Sequence, residues 1–246
     1  VLARLIAESD AESFAGAVKN RFPSQDIIVI GVTGTNGKST VVQLLHEIFT
    51  EFGLNVASAS TIRFRIKDKF EANKLKMTMP GRFALQDFLR KAADSGCQYA
   101  ILEVTSEGLK QNRAAFINFD CAVITNLRPE HIESHGSFEK YRAEKLKLFT
   151  ATKHFHVINR DDENAKHFWD IPAQEKIGAH AGDLPFELKI EGQFNISNAA
   201  IATAVVKAYG VDTLTCQKAL EKVTLIPGRM EVVSQQPKVV VDYAHT

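Results

Sequence analysis

The residues with the most chemical promise lie in one string, Gly31-Val32-Thr33-Gly34-Thr35-Asn36-Gly37-Lys38-Ser39-Thr40. Gly34 and Gly37 let the backbone turn with its N–H groups aimed inward, and a helix starting at the end of the string adds positive partial charge there. Such a cradle holds polyphosphate; Lys38 would reach the outer phosphates and the Ser39 hydroxyl would hold Mg²⁺. The spacing misses G-x-x-x-x-G-K-[ST] by one position, because Val32 stands where the first glycine belongs. A plain strand-to-helix turn is the competing account, and the Gly-Lys-Ser-Thr ending favours the cradle. Three more groups could do chemistry near it. Glu103 closes an apolar run, where an ionised carboxylate is costly unless it meets a cation: a metal beside the phosphates, or a neighbouring Lys or Arg. His131 follows a turn, where neutral imidazole serves as a ligand for a divalent cation or as a structural group. Lys145 lies in Tyr141-Arg142-Ala143-Glu144-Lys145-Leu146-Lys147-Leu148-Phe149, which by itself reads as a solvated basic helix face.

Regular elements must carry these groups to one place. Residues 27–32 form a dense β-branched run, the mark of a strand buried on both faces. After the glycine-rich turn, Val41, Leu44, Leu45, Ile48 and Phe49 recur as on one face of a helix. The alternation predicts strands at 56–60, 99–104, 121–125 and 155–158, and helices at 83–93, 138–149, 164–169 and 194–209. Ser137 is the expected cap of the helix after it, and Gly210 the stop of the last one. An α/β fold follows, P-loop-containing, with a mostly parallel sheet flanked by helices and ligands beyond the carboxyl ends of the strands. Residues 2–19 give a short amphipathic lead-in broken by Glu8-Ser9-Asp10. Residues 63–70 alternate basic and apolar types, which suits an exposed hairpin strand better than a nucleic-acid patch.

Composition sets limits. With 45% hydrophobic and 24% charged residues, 246 residues supply one sizeable core and a small appendage. A net charge of +1 gives no field for a polyanion, so no nucleic-acid partner is expected and phosphate recognition must be local. Cys97, Cys121 and Cys216 lack C-x-x-C spacing and read as buried thiols in a reducing compartment. No stretch reaches the ~20 apolar residues of a membrane span, and no leader is visible, so no membrane insertion and a soluble, cytoplasmic protein are expected. The chain starts without Met and stops just past an apolar run, which suggests a piece of something longer.

Gly34-Thr35-Asn36-Gly37-Lys38-Ser39-Thr40 closely resembles the loop of the Mur ligase and folylpolyglutamate synthase superfamily, which couples ATP hydrolysis to joining a carboxylate to an amine. Glu103-Val104-Thr105-Ser106-Glu107-Gly108-Leu109 is similar to the Glu-Val-Ser-Ser-His-Gly-Leu motif of the stem-peptide ligases, whose glutamate holds magnesium; Glu107 replaces the usual histidine, so that role is not carried over. Gln111 and Arg113 match the end of the motif, where the arginine contacts the acidic nucleotide-sugar. The segment 125–136 resembles Thr-Asn-Leu-x-x-Asp-His-Leu-Asp-x-His-Gly, which implies His131 as a ligand of a second magnesium, with Glu130 and Glu133 replacing the aspartates. Residues 141–149 look like the family's Tyr-x-x-Ala-Lys-x-x-Leu-Phe, with Lys145 in register with Tyr141 and Phe149; the family's lysine is carbamylated, becoming an anionic oxygen ligand. Met77-Thr78-Met79-Pro80-Gly81 resembles the Thr-Thr-Pro substrate loop, with only Thr78 transferable. Asn195 in a Gly-x-Phe-Asn-x-x-Asn-Ala motif, Arg229 in Pro-Gly-Arg-Met-Glu and Asp242 in Asp-Tyr-Ala-His-Thr resemble nucleotide contacts, although an N-capped helix start also accounts for the segment around Asn195.

Membership of the Mur ligase family, nearest the enzymes adding the third stem-peptide residue, thus implies ATP and Mg²⁺ as cofactors. It assigns Gly34, Thr35, Asn36, Gly37, Lys38, Ser39, Thr40, Asn195, Arg229 and Asp242 to the nucleotide, and Thr78, Ser106 and Arg113 to the substrate. Ser39, Glu103, His131 and carbamylated Lys145 would hold metal, and Lys38, Glu103, His131 and Lys145 would be the catalytic set. The implied partners are a UDP-MurNAc-dipeptide and an amino acid, joined through an acyl phosphate by a monomer. The implied domains are a lead-in at 1–24, an ATP-binding domain at 25–230 and the start of a truncated C-terminal domain at 231–246. Two rivals remain. A folylpolyglutamate synthase usually has glycine between the loop lysine and serine, whereas Ser39 follows Lys38 directly. A non-catalytic ATP-binding homologue is left open by Glu107 and Met79.

Overall fold

The computed structural model describes residues 8–75, 77–130, 132–190, 192–229 and 231–242. His131, Met230, the lead-in residues Leu2, Leu5 and Ile6, and Tyr243 to Thr246 lie outside the described residues.

Strand β1 (Ile28–Thr33) runs through the middle of an eight-stranded sheet. Its alternation is the source of the layering: Ile30 and Val32 point into one apolar layer and Val29 into the other, and all three are fully buried. Each such side chain contributes about 1.5–3 kcal/mol by leaving water. One layer is closed by α2 (Lys38–Glu51), α8 (Gln193–Ala208) and α9 (Thr213–Lys222). The other is closed by α3 (Arg82–Asp94) and α6 (Phe138–Ala151). Helix α1 (Glu8–Lys19) packs on α3, where Glu12 pairs with Arg82 and Ser13 Oγ donates to Asn112 O. The Glu8-Ser9-Asp10 patch that the periodicity treats as a break is the first turn of this helix.

The sheet order is β4-β3-β2-β5-β1-β6-β7-β8. Strands β2 (Val56–Ala59), β5 (Tyr99–Glu103), β6 (Phe119–Ile124), β7 (Phe155–Asn159) and β8 (Glu175–Ala179) join β1 in parallel. The chain moves first to one side of β1, through β2, and later to the other, through β6. Beyond the carboxyl end of β1 there is therefore a crevice of the kind parallel sheets use for ligands.

The run 63–70 differs from the single strand expected. It forms both arms of a hairpin, β3 (Arg63–Ile66) and β4 (Lys69–Ala72), turned at Lys67, whose φ of 55° is left-handed. Strand β8, short helices α4 (Ser106–Lys110), α5 (Ile132–His135) and α7 (Ala165–Trp169), and helix α9 complete the main body; of these only α7 is anticipated by the sequence pattern. Ser137 caps α6 by accepting from Lys140 N, as its residue type implies. Gly210, at φ 82°, ends α8 with its N–H on Lys207 O. A separate two-stranded sheet, β9 (Glu231–Gln235) with β10 (Lys238–Val241), follows. Among the described residues no helix is long and apolar enough to cross a membrane.

Candidate functional site

Between the end of β1 and the start of α2, residues 34–37 form a turn whose shape requires its glycines. Gly34 has φ 149°, and a Cβ there would lie 1.8 Å from Thr125 Oγ1. Gly37, at φ 82°, is the N-cap of α2, and a Cβ there would lie 2.3 Å from Asn198 Oδ1. The turn is clamped by the chain leaving β6. Thr125 Oγ1 donates to Asn36 O at 2.6 Å, Thr35 N donates to Asn126 O at 2.9 Å, and Asn36 N donates to Asn126 Oδ1 at 2.9 Å. Thr35 Oγ1 accepts from Arg128 N at 2.9 Å and lies 3.1 Å from Tyr141 OH. Burial pushes the Tyr141 phenol up to about 12, against the hydrogen bond with Thr35.

Two lysines sit against this turn. Lys38 Nζ donates to Thr35 O at 2.6 Å, and Lys145 Nζ donates to Gly34 O at 2.8 Å while lying 4.6 Å from the Tyr141 ring centroid. Burial lowers the affinity of Lys38 for its proton, opposed by Glu103 and aided by Arg229. Burial also holds Lys145 well below the ordinary lysine value, and the charge of Lys38 lowers it further.

Glu103, at the carboxyl end of β5 and opposite Val32 in the register, is buried. Its Oε2 accepts from Ser39 Oγ at 2.8 Å, from Thr61 N at 2.8 Å and from Thr61 Oγ1 at 3.1 Å. Hydroxyl and amide donors thus hold Oε2 of this carboxylate.

A cleft of about 210 Å³ opens over these groups. From the residues singled out in the sequence it brings together Gly34, Thr35, Asn36, Lys38, Thr78, Glu103, Ser106, Lys145 and Arg229. Gly37, Ser39 and Thr40 lie just beneath, in the first turn of α2 and its cap. The others are placed differently. Asn195 is buried at the start of α8, and Asn198, one turn further on, is the residue that abuts Gly37. Arg113 does not line the cleft. Its Nη1 donates to Met79 O at 2.6 Å and its Nη2 to Gln111 Oε1 at 2.6 Å, so it braces the loop carrying Thr78. Asp242 is exposed in the stretch after β10. Thr61, Thr105, Thr125, Tyr141 and Asn198 also belong to the site, and the sequence reading gives none of them a role there; Thr61 sits just past the end of β2, at the carboxyl edge of the sheet. A larger hollow of about 980 Å³ between the β3–β4 hairpin and α3 holds none of the expected site residues.

The site suits a magnesium nucleotide. The glycine turn leaves no room for a Cβ, and the cations Lys38 and Arg229 face a sparse oxygen set. Among the described residues no group of three His, Cys, Asp or Glu converges. Mg²⁺ takes one or two carboxylates and completes its shell with water and phosphate oxygens. Glu103 and Ser39 fit that role.

Known proteins resemble this chain over most of its length. A UDP-N-acetylmuramyl-tripeptide synthetase from Roseiflexus sp. is 33% identical over 91% of the chain and 53% of its own length. The chain spans about half the length of the curated relatives it matches. A solved UDP-N-acetylmuramoyl-L-alanyl-D-glutamate–2,6-diaminopimelate ligase superposes with a TM-score of 0.77 at 28% identity, over 96% of this chain and 56% of that one. The Mycobacterium tuberculosis folylpolyglutamate synthase complexed with ADP and AMPPCP shares the fold, with a TM-score of 0.78 at 17% identity over 96% of this chain and 67% of that one. The model of the Mur ligase middle domain matches residues 32–180, more than half of the chain and the span that holds Lys38, Glu103 and Lys145, so the chain belongs to the Mur ligase middle-domain family.

Proposed function

We propose that this chain is the ATP-binding core of an ATP-dependent ligase that joins an amino acid to a UDP-MurNAc-dipeptide. The observation that carries the reading is the convergence of Lys38, Ser39 and Glu103 on one cleft, with Lys145 and Arg229 on its walls. The names of the relatives, a tripeptide synthetase and a 2,6-diaminopimelate ligase, support that substrate class.

In this scheme the substrate carboxylate attacks the γ-phosphorus of ATP, the P–O bond to ADP breaks, and the amine then displaces phosphate from the acyl phosphate. The protein positions reactants and offsets charge on the transferring phosphoryl group. Lys38 exchanges Thr35 O for a phosphate oxygen. Ser39 and Glu103 would hold Mg²⁺, which would supply positive charge to offset that of the phosphates. Arg229 adds a second cation, and Thr78 and Ser106 face the acceptor side. Gly34, Thr35, Asn36 and Gly37 shape the phosphate turn, Asn195, Thr40 and Asp242 belong to the nucleotide's wider surroundings, and Arg113 supports the acceptor loop. His131 is assigned to the second metal on its motif alone. Lys145, whose burial favours the neutral amine, is suited to add CO₂: the nitrogen attacks carbon and loses a proton, leaving an anionic carbamate as a ligand. Intact-protein mass with and without bicarbonate tests that step.

The separate β9–β10 sheet supports a division near residue 230, with a lead-in before residue 25. Free, buried Cys97, Cys121 and Cys216 support a reducing, cytoplasmic setting, and we take the protein as a monomer. The test is phosphate release from ATP by the full-length gene product, supplied with UDP-MurNAc-dipeptide and a panel of amino acids. Release that needs both substrates is expected; ATP consumption indifferent to the dipeptide contradicts the reading.

A further inference from the structure

Glu103 Oε2 is held by three donors, and Thr61 supplies two of them. The placement follows from the sheet: Ala59 of β2 lies in register with Leu102 of β5, so the chain leaving β2 passes beside the next residue, Glu103. The Thr61 hydroxyl also lies 2.9 Å from Thr78 Oγ1. A threonine hydroxyl has a single proton, and a carboxylate is the stronger acceptor. The Thr61 hydroxyl is therefore a fork with one proton for two acceptors, Thr78 Oγ1 and Glu103 Oε2.

The loop bearing Thr78 is pinned on both sides of it. Asn73 Nδ2 donates to Ser60 O at 2.9 Å and to Met77 O at 3.0 Å, and Arg113 Nη1 donates to Met79 O at 2.6 Å. Both Thr61 and Thr78 line the cleft over Glu103. Thr61 thus links a loop on the acceptor side to the buried carboxylate of Glu103.

We propose that Thr61 is a positioning residue that orients Glu103 for magnesium and couples it to the Thr78 loop. This rests on the reading of Glu103 as the magnesium carboxylate. A ligand group that donates to Thr78 Oγ1 occupies that acceptor, turns the single Thr61 proton to Glu103 and holds the carboxylate in place for the cation.

The test is calorimetric binding of AMPPCP to the full chain across a Mg²⁺ titration, with folding checked by circular dichroism. Thr61→Val keeps the backbone N–H and removes the hydroxyl; it is expected to raise the half-saturating Mg²⁺ about tenfold, the loss of one hydrogen bond to a charged group. Thr61→Ser should stay within about twofold of wild type, because it keeps that bond. Thr78→Val leaves the Thr61 proton to Glu103 and should shift the Mg²⁺ requirement less, and that shift should shrink when Val occupies position 61. Thr61→Ala replaces Thr61→Val if the latter does not fold. An unchanged Mg²⁺ requirement without the hydroxyl, strictly additive effects at 61 and 78, or no Mg²⁺-dependent AMPPCP binding by the wild type overturns the proposal. Wild-type binding with the expected Thr61 effect but no phosphate release upholds it while rejecting the ligase reaction.

Discussion

Gly34→Ala probes the phosphate turn with a single methyl group. Its Cβ would meet Thr125 Oγ1 at 1.8 Å and Thr125 Cβ at 3.1 Å, and the backbone at φ 149° is one that L side chains rarely adopt. The unusual backbone costs about 1–3 kcal/mol. Moving Thr125 also breaks its bond to Asn36 O, which removes about 1 kcal/mol more. A total near 3 kcal/mol lowers the melting temperature of a chain this size by about 6–12 °C. Thr125→Ala alone costs about 1 kcal/mol, through the lost hydrogen bond. In Gly34→Ala/Thr125→Ala the hydroxyl clash is gone and only the backbone strain and a tight Cβ contact remain. The pair should therefore cost at least about 1 kcal/mol less than the sum of the singles. Urea denaturation of the four proteins measures this coupling. Additive effects, or a Gly34→Ala protein as stable as wild type, would show that Thr125 does not confine the turn.

Other perturbations give shorter tests. His46 is fully buried in α2, and burial, aided by Arg65 and Arg63, pushes its imidazole down to about 3. The unfolded chain then binds the extra proton between pH 6.5 and about 3, so the stability held above pH 6.5 drains away as pH falls through that window. His46→Leu should flatten the acid limb of urea midpoints measured at several pH values, and an equally steep limb would reject a neutral buried His46. Ser137→Ala should destabilise by about 1 kcal/mol, because α6 loses the acceptor for Lys140 N; no shift in the urea midpoint would show that the cap is idle. Lys38→Ala and Glu103→Ala in the full-length gene product should each reduce ATP-dependent phosphate release by about 100-fold or more, and near-normal release in either would contradict the assigned roles.

The phosphate turn was legible because its information is local. Two glycines, a lysine and a serine sit within six residues, between a β-branched run and an apolar helical stripe. Glu103 was legible for a different reason: a carboxylate ending a buried strand has to be explained. The supports were not legible. Thr61 reaches Glu103, Thr125 reaches Asn36 and Asn198 reaches Gly37 across long stretches of chain, and no local pattern encodes which strand ends become neighbours. Arg113 adds a contact that its motif does not encode, since its guanidinium holds the backbone at Met79. Edge elements were hard for want of pattern. Strand β8 is a half-exposed Glu-Lys-Ile-Gly-Ala, and β4 is exposed throughout, so neither carries the apolar alternation that marks a buried strand. Helix α9 does carry a local signal, because Asp212 accepts from Thr215 N as an ordinary N-cap.

The most direct measurement is a crystal structure of the protein grown with AMPPCP and Mg²⁺. The account predicts the triphosphate in the cleft above Gly34 to Gly37, with Lys38 Nζ moved from Thr35 O to a phosphate oxygen and Ser39 and Glu103 beside the cation. Nucleotide bound elsewhere, or a filled cleft with Lys38 still on Thr35 O and no cation near Glu103, would contradict it.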